Sequence, residues 1–336
     1  MKRTTIRHTF VGIDVSANKL DVAWITLEGK ILEFVLPNTD AGHQDLIRRI
    51  SSAKTVRARV CIEATGAYSI DLHQALHDAP RIEVMVARPM AVRDFTRSLG
   101  NRAKTDKIDA KAIAEFCKRM DFRASPPPVR ELYELRAMSR RLDDLVGRQT
   151  AIKNRIHAAQ ATRRTPAEVL DSLNSELAFV AGEIARVESL IIAALNKHDA
   201  TAKLVERIKD IKGFGERAIA HILPEVLALP KELTAKSVTA HAGLDPKPRQ
   251  SGSSLNPKSW GISRMGNAHL RAALFMPAMA AVRHLPEAKA FHARISERSG
   301  CKMVGIVAVM RKLLTAIWSM YVRDEPFASE KFARAA

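Results

Sequence analysis

The chain has 336 residues, enough for two or three domains, and its 54 Lys and Arg against 36 Asp and Glu give a formal net charge of +18. A hydrophobic content of 46% excludes a wholly disordered chain, and the charge favours a polyanionic partner, nucleic acid first and an anionic membrane surface second. No uninterrupted apolar run approaches the roughly 18 residues of a membrane span, and no signal-peptide pattern is found. The three cysteines lie far apart without metal-ligand spacing, so we expect a reduced, cytoplasmic protein.

The first segment begins with a predicted sheet in which two strands end in acids. Apolar runs and alternating residues, separated by short turns, predict strands at residues 10–14, 20–26, 31–36 and 59–63. The first of these strands ends at Asp14 and the last at Glu63. Three antiparallel strands with an acid in the first one resemble the opening of an RNase H-like fold.

A pair of acids opens the next predicted helix, which covers residues 106–119. Asp106 and Asp109 share one helix face, with their Cβ atoms about 5–6 Å apart. When two carboxylates lie so near each other, a divalent cation between them is the usual partner. The alternative is a solvated acidic first turn that complements the helix dipole. Between residues 88 and 123 there are ten Lys or Arg against five Asp or Glu. The bases nearest the pair are candidates for phosphate contact: Arg102, Lys104, Lys107 and Lys111.

The two strand-end acids and the two helical acids together supply four carboxylates. Four carboxylates that converge on one place are strongly destabilising without a cation. They therefore indicate two-metal phosphoryl transfer, in which ions about 4 Å apart hold the attacking and leaving oxygens.

Residues 10–14, 61–66 and 104–110 resemble the DEDD motifs of the insertion-sequence 110 family of transposases, which also includes the Piv-type DNA invertases. The resemblance implies a RuvC-like amino-terminal domain that uses Mg²⁺ or Mn²⁺. By position, the matching catalytic acids and metal ligands are Asp14, Glu63, Asp106 and Asp109. Asp21 is a rival acid, but its place inside the second predicted strand favours a surface residue.

The middle of the chain is predicted to be a helical hairpin. A stiff proline-rich break at residues 125–128 marks the first domain boundary. Apolar residues at steps of three and four then predict helices over residues 132–156 and 170–195, the second opened by a capping box at residues 165–168 with proline at the first helical position. Such a hairpin or coiled coil is typical of a spacer or an oligomerisation arm. The resemblance implies a dimer or a tetramer.

Residues 208–220 are predicted to form a helix, a tight Gly-x-Gly turn and a second helix. Free N–H groups at the start of the second helix can hold a phosphate. The pattern resembles a helix-hairpin-helix, a sequence-independent grip on nucleic acid, and a simple helical corner is the alternative. The candidate contacts are Lys212, Gly213 and Gly215.

An irregular loop follows, in which Pro246 and Pro248 restrict the backbone and Lys247 and Arg249 are candidates for nucleic-acid contact. By composition alone it is a flexible surface loop. The family resemblance implies that its first serine, Ser251, is a nucleophile. A serine hydroxyl needs activation. The expected activator is the carboxylate-bound metal of the same or a neighbouring subunit, and His241 or His269 is the alternative if the fold brings it close.

The last segment is predicted to be helical, with one helix over residues 268–283 bent near Pro277 and another over residues 303–322 that closes the core. Arg264, His269 and Arg271 lie around the start of the first of these helices and are candidates for phosphate contact, and solvent-exposed bases at a helix start are the alternative.

The predicted architecture is α/β plus α: a RuvC-like mixed-sheet domain at 1–125, a coiled-coil hairpin at 126–200 and a mainly helical transposase domain at 201–336. The resemblance implies a DNA recombinase of a mobile element in the bacterial nucleoid, with a covalent phosphoserine intermediate and an element-encoded bridge RNA that guides it to donor and target DNA. Two alternatives stay open: a junction-resolving endonuclease in which Ser251 only contacts phosphate, and a non-enzymatic basic nucleic-acid-binding protein.

Overall fold

The structure is a computed structural model that describes residues 7–51, 56–63, 66–98, 106–246 and 261–332, without the side chains of 106–108 and 331. Two compact units divide the chain, Met1–Pro128 and Val129–Ala336. The further division of the second unit into a hairpin and a transposase domain stays a prediction.

The first unit is built on a five-stranded mixed sheet. Its strands are β1 (Arg7–Val15), β2 (Lys19–Ile25), β3 (Ile31–Pro37), β4 (Val56–Glu63) and β5 (Ile82–Ala87). They lie in the order β3-β2-β1-β4-β5. The pairs β1–β2 and β2–β3 are antiparallel, whereas β1–β4 and β4–β5 are parallel. The predicted mixed sheet is confirmed, and the two strands that carry acids at or near their carboxyl ends, β1 and β4, are direct neighbours.

Helices cover both faces of this sheet: α1 (Asp40–Ile50), α2 (Ile70–Asp78), α3 (Pro89–Ser98) and α4 (Asp106–Arg119). On one face, Leu46 of α1 and Leu72 of α2 are buried against the odd-numbered residues of β1. On the other face, Ile113 of α4 and Val92 of α3 pack on β4 and β5. The helix α3 lies in a stretch that the sequence marked only as basic.

The second unit is helical. Its helices are α5 (Arg130–Gln160), α6 (Ala167–Leu195), α7 (Asp199–Lys209), α8 (Glu216–Leu227), α9 (Ala235–His241), α10 (Ala268–Ala273), α11 (Phe275–His284), α12 (Pro286–Ser299) and α13 (Lys302–Arg323). The two long predicted helices α5 and α6 are observed, and they share one continuous apolar core with α7–α13. Whether α5 and α6 supercoil stays a prediction.

Two local predictions in this unit are wrong. The helix α6 begins at Ala167 after Pro166 without a side-chain cap, and Thr165 instead donates its hydroxyl to the carbonyl of Ala159 at 2.6 Å. The predicted bent helix at 268–283 is two helices that meet at Leu274. Pro277 explains the break, because its ring lacks an N–H and excludes the carbonyl four residues earlier.

Among the described helices, α13 is the one that is long and apolar enough by composition to cross a membrane. Half of its most apolar window is buried inside the protein. The charged pair Arg311 and Lys312 also interrupts its sequence. The helix is therefore accounted for as the core helix that the sequence predicted.

Candidate active site

Three acids lie in one row across the sheet, on the face that α4 covers. Successive side chains of a strand point to opposite faces, and the residues of β1 on either side of Asp14 belong to the core on the other face. Asp14 is paired with Asp21 of β2 in the antiparallel ladder. Side chains in such a pair have Cβ atoms about 4.5–5.5 Å apart.

Glu63 extends the row on the other side of Asp14. The parallel ladder between β1 and β4 ends with the pair Ile13–Ile62, and the next residue of each strand is an acid. Cys61 packs in the cluster under α4, so Glu63, two residues later, faces the same side of the sheet. The sequence prediction that these two strand-end acids are neighbours is thus consistent with the ladder register.

The helix α4 lies directly on β1 because Gly12 has no side chain. A Cβ on Gly12 would lie 2.1 Å from the backbone nitrogen of Ala114, a distance that real Cβ atoms essentially never show. This close approach places the first turn of α4, with Asp109, above the sheet close to the row of acids. Asp109 is partly exposed, and the side chain of Asp106 lies outside the described residues.

Asp21 is not the surface residue that its sequence position suggested. Its exposed fraction is 5%, and its carboxylate is paired with Lys19 at 3.0 Å. It was missed because alternation predicts which residues share a face but not which part of that face a helix covers. A lysine two residues before an acid in a strand is the only signal that the sequence offers for this pair.

The row provides oxygen ligands of the kind that Mg²⁺ and Mn²⁺ prefer. Among the described side chains, no three acids, histidines or cysteines converge tightly enough to hold an ion by themselves. The side chain of Asp106 lies outside the described residues. The described acids fit a divalent cation by donor type and by their alignment on one face of the sheet.

The basic residues around the acids are only partly described. Lys111 of α4 forms an ion pair with Glu33 of β3 at 2.8 Å. This contact connects the helix to the sheet and partly neutralises the charge of Lys111. Arg102 and Lys104 lie outside the described residues, as does the side chain of Lys107.

In the second unit, the Gly-x-Gly turn joins α7 to α8 as predicted. Gly213 adopts a left-handed φ of 105°, and a Cβ there would lie 2.6 Å from the Cβ of Ala280 in α11. Gly215 is the residue before α8, and Lys212 is exposed beside it. Contact of this turn with phosphate stays a prediction.

The loop that carries Ser251, Lys247 and Arg249 lies within residues 247–260, outside the described residues. The segments on either side of this loop lie next to each other, and Pro246 and Ile262 form an isolated antiparallel β-bridge between them.

The two arginines that follow this loop differ in their surroundings. Arg264 is exposed and has a left-handed φ of 52°. Arg271 is half-buried and donates from Nη1 to the carbonyl of Ala242 at 2.9 Å.

The sequence did not predict a polar network that joins α5, α8 and the start of α10. Glu225 of α8 is 1% exposed and accepts hydrogen bonds from Arg136 and Arg140 of α5, each at 3.2 Å. Glu225 also accepts from Nδ2 of Asn267 at 2.6 Å, and Asn267 caps α10 through Oδ1. The sequence signal was a polar line on α5 at steps of four and three, ending at Asp143.

Asp143, three residues after Arg140 on α5, forms a second polar group with two histidines. Its two carboxylate oxygens lie 2.6 Å from Nδ1 of His221 and 2.6 Å from Nδ1 of His269, but only the His269 contact has the angle of a hydrogen bond. Burial alone would raise the pKa of Asp143, and the two histidine contacts outweigh it and lower that pKa. His269 therefore has one ring nitrogen held by an anionic carboxylate, while its imidazole remains partly exposed.

Comparisons with known proteins agree with this architecture. The family model for DEDD transposases of IS110 type, described as Transposase, matches residues 11–160, which include all of the sheet except the first four residues of β1. A second model, described as Transposase IS116/IS110/IS902 family, matches residues 205–293. The five-stranded mixed sheet flanked by helices is compatible with an RNase H-like fold.

The proteins to which this chain is similar include gene-inverting proteins and transposases. The chain is 27% identical to the pilin gene-inverting proteins of Moraxella lacunata and Moraxella bovis over 330 residues, which is 95% of this chain and 97% of each relative. It is 26% identical to the transposase for insertion sequence element IS1111A of Coxiella burnetii over 273 residues, 73% of either chain. Together the two family models cover more than two thirds of the sequence, and the chain belongs to the IS110 family of transposases, enzymes that recombine DNA.

Proposed function

We propose that this transposase cuts and rejoins DNA by metal-dependent phosphoryl transfer at the acids that α4 and the sheet carry. The proposed ligands of two Mg²⁺ or Mn²⁺ ions are Asp14, Glu63, Asp106 and Asp109. The observation that carries the proposal is the register of the sheet, which puts Asp14 and Glu63 at equivalent positions of adjacent parallel strands.

Electrostatics supports the same conclusion. Carboxylates opposite one another on a sheet repel, and the buried Asp21 adds a third negative charge to the row, which Lys19 offsets in part. Bound divalent ions would neutralise the remaining charge and polarise the phosphodiester that is cut. The protein's part is to hold the oxygens on one face, with α4 seated closely on β1.

We further propose that Ser251 is the nucleophile. Its Oγ gives up its proton and attacks phosphorus, the bond from phosphorus to the sugar oxygen breaks, and the leaving oxygen takes up a proton. The product is a phosphoserine that a second DNA hydroxyl resolves by the reverse step. The family resemblance of the loop supports this proposal, together with the bridge between Pro246 and Ile262 at its two ends.

We assign nucleic-acid contact to basic and glycine positions in both units: Arg102, Lys104, Lys107, Lys111, Lys212, Gly213, Gly215, Lys247, Arg249, Arg264 and Arg271. The net charge of +18 supports binding to phosphate backbones without base reading. A structured guide RNA that pairs with donor and target DNA would then supply the sequence specificity. Such an enzyme works in the cytoplasm, on nucleoid DNA.

We also propose that the protein is a homo-oligomer, a dimer or a tetramer, that associates through the outer face of α6. Phe179 and Leu190 on this face are 67% and 46% exposed, and the ion pair of Arg186 with Glu183 lies between them. Exposed apolar side chains that are grouped into a patch are typical of an interface. Sedimentation velocity of Phe179→Lys should show a smaller species than wild type, and an unchanged species would contradict this interface.

The experiment that tests the proposed function is covalent trapping. Purified protein, Mg²⁺, element DNA and the transcript that flanks the gene are incubated and separated on a denaturing gel. A protein–DNA adduct that is lost in both Ser251→Ala and Asp14→Asn supports the serine and the metal. The neighbouring Ser253→Ala is the matched control for the serine and should keep the adduct.

Two other outcomes point away from this mechanism. Free cut DNA without an adduct, made equally by Ser251→Ala, would favour the junction-resolving endonuclease. An adduct that persists in Asp14→Asn without divalent ions would remove the acids from the reaction.

A further inference from the structure

The side chain of Asn38, which follows β3, joins two segments that leave the sheet beside the row of acids. Its Nδ2 donates to the backbone carbonyl of Ser16 at 2.9 Å and to that of Tyr68 at 3.1 Å. Ser16 comes two residues after Asp14, and Tyr68 comes five residues after Glu63. One amide group thus connects the chain that follows β1 to the chain that follows β4.

The orientation of this amide is determined by His43 of α1. Nε2 of His43 lies 2.8 Å from Oδ1 of Asn38. Because Nδ2 faces two carbonyls, which only accept, Oδ1 is the group that faces His43, and Nε2 of His43 is the donor. Burial lowers the pKa of His43, against the opposing effects of Asp40 and Asp71, so the ring is neutral near pH 7.

The position of this connection matters because of where the sheet ends. The β1–β4 ladder stops at the pair Ile13–Ile62, immediately before the two acids. On the sheet side, the backbone of each acid is fixed by the ladder, and beyond the acids the amide of Asn38 ties the two chains together. A metal site needs its ligands held within about 0.5 Å of their productive positions.

We propose that Asn38, oriented by His43, is a positioning residue that sets the separation of Asp14 and Glu63 for a divalent cation. It acts through the backbone of Ser16 and Tyr68 and is not itself a ligand. The inference rests on the proposed metal site, and it assigns to the turn after β3 a role in metal affinity.

The test is the affinity of the full-length protein for Mn²⁺ alone, measured by electron paramagnetic resonance of the free ion without nucleic acid. Asn38→Ala should raise the dissociation constant about tenfold, the lower end of the range for residues that orient metal ligands. His43→Leu should weaken binding in the same direction. His43→Gln retains an N–H donor, so its affinity for Mn²⁺ should stay close to that of wild type.

Thr39→Ala is the matched control, because Thr39 is adjacent to Asn38 and caps α1 by accepting from the backbone N–H of Gly42. Its loss lowers stability without touching either segment beside the acids. A purely structural role of Asn38 predicts that Thr39→Ala and Asn38→Ala both lower the melting temperature and leave Mn²⁺ affinity unchanged. Should Asn38→Ala fail to fold, Asn38→Ser and His43→Leu carry the same comparison.

The outcomes separate the two proposals. Wild type that binds Mn²⁺, with binding abolished in Asp14→Asn and unchanged in both Asn38→Ala and His43→Leu, would overturn the positioning role and leave the metal site standing. Binding that is absent in wild type, or equal in wild type and Asp14→Asn, would overturn the metal site and the positioning role with it.

Discussion

Gly12 of β1 and Ala110 of α4 approach each other so closely that no side chain fits between them. A Cβ on Gly12 would lie 2.4 Å from the carbonyl oxygen of Ala110, and this oxygen belongs to the residue directly after Asp109. The contact therefore relates the helix that carries two of the proposed ligands to the strand that carries Asp14.

Replacing Gly12 by Ala should lower the free energy of unfolding by about 2–3 kcal/mol, because the backbone of α4 has to move to accept the methyl group. Trapping activity should fall with it, since Asp109 moves with α4. Urea unfolding and the adduct assay measure the two effects. The matched control is Gly147→Ala on α5, where a Cβ meets nothing within 4 Å. Alanine there should stabilise the helix by about 0.5–1 kcal/mol.

Substitutions of Lys19 and of Asp21 should change the stabilisation by divalent ions in opposite directions relative to wild type. Lys19→Met leaves Asp21 beside Asp14 without its paired cation, so the metal-free protein should melt at a lower temperature and gain more from Mg²⁺ than wild type. Asp21→Asn removes one charge from the row, so the metal-free protein should gain up to about 1 kcal/mol and respond less to Mg²⁺. Thermal melts with Mg²⁺ or with a chelator distinguish the two responses, and equal responses would show that the row does not interact electrostatically.

The network around Glu225 should respond asymmetrically to mutation. Glu225 is 1% exposed, whereas the side chains of Arg136 and Arg140 are 29% and 46% exposed and can turn to solvent. The double variant Arg136→Met and Arg140→Met should lower the free energy of unfolding by about 3–5 kcal/mol, because the buried carboxylate of Glu225 loses its paired cations. Glu225→Gln should cost less. Urea unfolding measures both effects. A greater loss of stability in Glu225→Gln than in the double variant would mean that the unpaired arginines, and not the unpaired glutamate, are the more destabilising.

Stability should rise with pH between about 5 and 7, in part because of His43. Burial lowers the folded pKa of His43 below its ordinary value of 6.5. The unfolded chain therefore binds a proton that the folded chain does not. The stabilisation is complete above about pH 6.5 and is lost as the pH falls, by at most about 1.4 kcal/mol per pH unit for one group.

His43→Gln should flatten this slope in urea unfolding at pH 5, 6 and 7. The slope that remains should reflect His73 and His8, whose pKa values are also lowered by burial. The exposed His157→Gln serves as a control and should leave the wild-type slope in place. An unchanged slope in His43→Gln would assign the pH dependence to other groups.

The sequence misled at points where packing overrides local pattern. Helix α3 was predicted only as a basic stretch, because its charged residues hide Val92 and Phe95. Phe95 packs edge-to-face on Phe116 with ring centroids 5.5 Å apart. The proposed cap at residues 165–168 failed for a similar reason, since the hydroxyl of Thr165 is used by the end of α5.

By itself, the sequence determined the strands, their terminal acids and the basic charge, because alternation, strand ends and composition are local properties. It also carried the family resemblance, which places Asp14, Glu63, Asp106, Asp109 and Ser251 in order along the chain. Only the tertiary structure decided that Asp21 is buried beside Asp14, that Gly12 admits α4, and that Asn38 connects Ser16 to Tyr68. These relationships join residues on different strands and helices, so burial and hydrogen bonding between distant segments determine them and no local pattern records them.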